Sequence, residues 1–136
     1  MTKKKITDHW TIDIDDSYQR HIDKEGDLVF ATKDKTVRLA VWGYKDQTRQ
    51  QIYDEHKTIT FTRDESEAPT IETFDLSDDN AGRIGYMIEE TDGEKKYKVI
   101  YAFTIVDEDL VQAAIYFDND SDKKWALDIW RSIRFN

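Results

Sequence analysis

Apolar residues recur every second position through most of this chain and every three to four positions near its end. Trp10, Ile12 and Ile14 alternate with Thr11 and Asp13, which predicts a half-buried strand. Asp15, Asp16 and Ser17 then read as a turn. Leu28 to Thr32 and Thr36 to Trp42 flank a Lys-Asp-Lys tip and predict a hairpin. In its second arm Val37, Leu39 and Val41 share one face, and Arg38, Ala40 and Trp42 the other. Thr48 followed by Gln51 has the spacing of a capping box, so a helix is expected from there to about His56 or Lys57. Its apolar stripe is thin: Ile52, Tyr53 and Ile59. The β-branched stretch Thr58 to Thr62 fits either more helix or a strand.

Arg63 to Pro69 is acidic, carries the single proline and reads as a loop. Thr70 to Leu76 alternates as a strand, and Ser77 to Asn80 is turn chemistry. Arg83 to Glu90 and Lys95 to Val106 surround Asp92-Gly93, a strong hairpin signal. Residues 106–109 turn into a last strand, Leu110 to Phe117. Tyr97, Val99, Tyr101, Phe103 and Ile105 share one face of the preceding strand, with Ile100, Ala102 and Val106 behind them. Apolar groups on both faces predict a central strand covered on both sides. Trp125, Ala126, Ile129, Trp130 and Ile133 then follow a 3.6-residue period, the apolar stripe of a helix closing over a sheet. Ser121 or Asp122 is expected to cap it. The sum is an α+β fold, an antiparallel sheet flanked by helices, in one domain over 1–136.

Composition narrows the chemistry. Only 38% of residues are hydrophobic, yet four Trp, seven Tyr and six Phe supply enough buried area for a globular core. A net charge of −9 excludes general binding to nucleic acid, and Lys3-Lys4-Lys5 reads as a solvated end. The absence of cysteine removes thiol catalysis, disulfides and Cys-ligated metals. No apolar run approaches a membrane span, and no secretory leader follows the basic start, so a cytoplasmic location is expected.

Catalytic and cofactor signatures are missing: there is no nucleophile elbow, Walker loop or dinucleotide fingerprint, and no cofactor is expected. His9, His21 and His56 lack metal-ligand spacing and read as separate surface residues. Asp118, Asp120 and Asp122 match the first three ligand positions of an EF-hand. Lys123 stands where glycine is needed, however, and Ile129 where a bidentate glutamate is needed. The run therefore reads as an acidic turn before a helix, with no metal expected. Paired aromatics, Tyr97 with Tyr101 and Trp42 with Tyr44, read as packing groups or as the lining of a groove.

The opening Trp10 to Ile14 with Tyr18, the Leu28 to Trp42 hairpin and the closing Trp125 to Phe135 resemble the PsbP-like superfamily. The resemblance implies an α/β/α sandwich and a binding or adaptor role without catalysis, and it supplies no functional residue. With the charge, it points to a small bacterial protein-binding module, immunity- or inhibitor-like, whose partner is a basic protein. The alternative is a carrier of an apolar small molecule, with a pocket between sheet and helix.

Overall fold

A computed structural model describes residues 2–136 as ten strands and two helices in two antiparallel sheets. The large sheet has the order β3 (Gln19–Ile22), β4 (Leu28–Ala31), β5 (Lys35–Gly43), β9 (Asp109–Phe117), β8 (Lys95–Val106), β7 (Gly82–Asp92), β6 (Glu72–Asp75). The small sheet has the order β1 (Thr2–Lys5), β2 (Trp10–Ile14), β10 (Arg134–Phe135). Helix α1 spans Arg49–Thr62, and α2 spans Lys123–Arg131 after a 3-10 turn at Asp120–Asp122. The α+β expectation holds. No helix among the described residues is long and apolar enough to cross a membrane.

Register assigns every side chain to a face. Ile105, Phe103 and Tyr101 of β8 stand opposite Leu110, Gln112 and Ala114 of β9, on the side covered by α1. Ile100 and Ala102 stand opposite Ile115 and Ala113 on the other side, with α2 and β2 above them. β8 is thus the doubly covered strand that its sequence predicts. Around α2 lies the main core, in which Trp10, Ile12, Ile14, Phe30, Phe117 and Trp130 are almost fully buried. Beneath α1, Ile52 meets Ile84, Phe103, Ile105 and Leu110.

Residues 58–62, which by sequence fit either more helix or a strand, continue α1 past the expected end at His56 or Lys57. Several expectations need correction. The buried stripe of that helix is Ile52, His56 and Thr60, one residue per turn, whereas Ile59 is exposed. Lys3-Lys4-Lys5 is largely exposed, as expected, but it lies in an edge strand, paired with Asp13, Ile12 and Thr11. Gln19–Ile22, to which the sequence pattern assigns no element, is a wholly exposed edge strand on β4. The C-terminal helix stops at Arg131, and Arg134–Phe135 pairs with Thr11 and Trp10 as β10. Asp122 does precede α2, but its carboxylate makes no capping hydrogen bond and lies 3.7 Å from Lys35 Nζ.

Candidate functional site

A groove accessible to a partner forms where β7 outruns β6. β6 pairs with β7 only over Ile84 to Met87, so Ile88 to Asp92 have no strand neighbour on that edge. The Met87 carbonyl accepts from the Ile71 N–H at 2.8 Å and so points toward the edge. Alternation along an extended strand then turns the N–H and C=O of Glu89 and Thr91 the same way.

The chain leaving α1 walls the groove. Arg63 ends the helix in an extended conformation, and its Nη1 donates to the Ala68 carbonyl at 2.7 Å and to Thr70 Oγ1 at 3.0 Å. Its guanidinium also lies 4.9 Å from the centre of the Tyr86 ring, a cation–π contact that fastens the loop to β7. Glu65 accepts from the Thr70 N–H and Asp64 from the Ser66 N–H; the Thr70 hydroxyl and N–H lower the Glu65 carboxyl, and the Ser66 N–H and hydroxyl lower that of Asp64.

The space so enclosed is about 980 Å³. Ala68, Pro69, Ile71 and Ile88 supply its apolar lining, and Asp64, Glu67, Glu89 and Glu90 outnumber Arg63 and Lys96 in its charged lining. An unpaired strand edge beside apolar and acidic groups suits an extended peptide segment with basic side chains. The stems of such side chains would cover Ile71 and Ile88 while their charges meet the carboxylates.

The residues singled out from sequence fall elsewhere. His9 and His21 are exposed, as expected, but His56 is buried: its Nδ1 lies 2.8 Å from the Ile52 carbonyl, and its ring packs against Tyr44 and Phe103. Asp118, Asp120 and Asp122 each meet a different lysine, Lys95, Lys98 and Lys35, and do not converge. Sequence reading passed over Asp23, Glu25 and Asp27, whose carboxylates come within 4.8 Å of one another in the turn before β4. Their alternate spacing was the available signal. Asp23 is already occupied, however: one oxygen accepts from the N–H groups of Glu25 and Asp27, and the other lies 3.5 Å from Arg38 Nε.

The predicted aromatic pairs do not form as pairs. Tyr97 packs on Tyr116 and Tyr101 on Tyr86, while Trp42 is 53% exposed and Tyr44 turns to His56. Burial pushes the Tyr101 hydroxyl far up, and its hydrogen bond to Glu90 at 2.9 Å adds to the effect. The interface between α1 and the sheet is filled by the side chains of Ile52, Ile84, Phe103, Ile105 and Leu110, which leaves a small molecule little room there.

A second cleft opens between the Ser77–Ala81 turn and the C-terminal segment. Arg83, only 3% exposed, spans its base: Nη1 donates to Asp78 Oδ2 at 2.8 Å, and Nη2 lies 3.4 Å from the Ile133 carbonyl. From the far side Arg49 Nη2 donates to the Asp78 carbonyl at 2.8 Å, so two arginines fix the turn. Burial pushes the Asp78 carboxyl up, but the Arg83 guanidinium and the N–H groups of Asn80 and Ala81 outweigh it. The net value lies below the ordinary 3.8.

A depressed folded value means that the contribution to stability is present above 3.8 and disappears as pH falls through the folded value. Asp78→Asn is therefore expected to be less stable than the parent near neutral pH, by a margin that closes as the pH falls below 3.8 and through the depressed folded value. Urea denaturation of both proteins across that range checks this, and an unchanged margin in acid would remove the Arg83–Asp78 pair as its source.

Neither a family model nor a curated protein matches the chain. Among solved structures, a crystal structure of a protein from Bacteroides thetaiotaomicron VPI-5482 is similar, with a TM-score of 0.68 at 12% identity. The match covers 98% of this chain and 48% of that one, so this chain spans about half the length of its structural neighbour. The likeness is one of fold.

Proposed function

We propose that this chain is a non-enzymatic protein-binding module that takes a basic, extended segment of another protein along the open edge of β7. The carrying observation is the unpaired Ile88–Asp92 edge opening into a groove whose charged lining is mainly acidic. Strand addition draws affinity from main-chain hydrogen bonds, and neighbouring side chains set the preference. Acidic side chains at the edge favour a basic partner and repel a second copy of this chain, which carries a net charge of −9. An immunity- or inhibitor-like role toward a basic protein is the specific form we favour. The arrangement, with α1 on one face of the large sheet and α2 with the small sheet on the other, supports a PsbP-like sandwich as its scaffold. The filled space under α1 weighs against a small-molecule carrier.

The test is capture from the native lysate, followed by association kinetics with the captured protein. The partner is expected to be basic, and its association rate should fall as added salt shortens the Debye length from ~30 to ~10 Å. Glu67→Lys with Glu89→Lys should slow association about tenfold or more. A rate indifferent to salt and to both substitutions would overturn the reading.

A further inference from the structure

We propose that the second cleft, between the Ser77–Ala81 turn and the C-terminal segment, binds a small organic oxyanion, carboxylate or phosphate, through Arg83, Arg131 and Arg134. These three line a space of about 670 Å³ in which Asp78 is the one acidic residue. They are three of the chain's seven arginines, and no lysine joins them. That choice matters because a guanidinium offers a planar fork of donors matched to the paired oxygens of a carboxylate or phosphate.

Arg83 is the anchor. A guanidinium carries five N–H donors, and Arg83 makes one short hydrogen bond, to Asp78, and one long one, at 3.4 Å, to the Ile133 carbonyl. Its buried Nε has no acceptor among the described residues. A cation held nearly out of water with donors unused favours an oxyanion placed against it, since such donors are costly to leave unpaired. Arg131 and Arg134 stand at the mouth, about half exposed, and touch their nearest carboxylates, Asp128 and Asp13, only at 3.5 Å each. Such loose exposed pairs hold a side chain weakly, so both arginines are free to turn onto a ligand. Asn80 and Asn136 add amide groups, while Val106 and Phe135, both half-buried, give apolar lining for the organic part. Because the chain as a whole is acidic, the site must act at short range, and selectivity comes from the forks rather than from steering.

The test is a titration of the arginine Nε–H resonances in ¹H–¹⁵N spectra with sodium phosphate and, separately, sodium succinate, at ionic strength held constant with sodium chloride. A saturable shift of the Arg83 resonance is expected with at least one of them. Saturation by phosphate alone assigns a phosphoryl ligand, by succinate alone a carboxylate, and by both a site for either oxyanion. Arg131→Gln with Arg134→Gln, both exposed and therefore compatible with folding, should weaken binding about tenfold or more. Shifts that grow linearly with both salts, or saturation unchanged in the double variant, would overturn the proposal.

Discussion

Trp130→Ala is expected to cost about 3–5 kcal/mol of folding stability. The ring is fully buried where α2 meets the sheet, edge-on to Phe74 with centroids 6.4 Å apart. Its indole N–H donates to Thr104 Oγ1 at 3.0 Å, and Thr104 is itself fully buried. Truncation would open a cavity and leave that hydroxyl without its donor, so transfer, cavity and hydrogen-bond losses add. Trp130→Phe keeps most of the volume but loses the bond and part of the ring, and it should fall between parent and alanine variant. Urea denaturation measures both. A loss below about 1 kcal/mol for the alanine variant would mean that α2 does not close the core.

That helix was the most legible part of the sequence. Trp125, Ala126, Ile129 and Trp130 repeat on one side, and Ala126, Ile129 and Trp130 are the residues that α2 buries. The long strands β5, β7, β8 and β9 were legible for the same reason, since a buried face imposes alternation. The elements that were missed bury little. Every residue of β3 is exposed, β1 is nearly so, and β10 is two residues long, so no periodicity could mark them. Their pairing is set by neighbours distant in sequence, as when Arg134 finds Thr11.

Helix α1 fails a different test. It buries Ile52, His56 and Thr60, and a histidine and a threonine do not register as an apolar stripe. His56 was misread as a surface group because its surroundings, Tyr44 and Phe103, come from other elements. The acidic loop at residues 63–69 was visible in the sequence, but its meeting with an open strand edge was not. That depends on β6 being four residues long against the eleven of β7. The arginine cleft is likewise a product of topology, joining β7 to a C-terminal segment fifty residues away.

A second large effect is expected at Gly85, which stands opposite Ala102 on β8 and directly beneath Trp130. A methyl group there would run into the Tyr101 carbonyl oxygen, and would also lie 3.0 Å from Trp130 Cη2 and 3.2 Å from Ala102 Cα. Two of these three neighbours are backbone atoms of the central strand, which cannot rotate aside as a flexible side chain would. Gly85→Ala should therefore destabilise the protein by about 1–3 kcal/mol or more, although alanine in an open strand position ordinarily gains over glycine. The cause can be separated by placing Gly85→Ala in the Trp130→Phe background. If the clash with β8 dominates, the cost of Gly85→Ala stays nearly the same there; if the Trp130 ring dominates, the cost falls, as expected for coupled neighbours. The geometry favours the first result, because the Tyr101 carbonyl is the closest atom and belongs to the backbone. A Gly85→Ala protein within about 0.5 kcal/mol of the parent would mean that β7 and β8 can shift apart locally. The close seating of Trp130 on the sheet would then not be what fixes α2 in place.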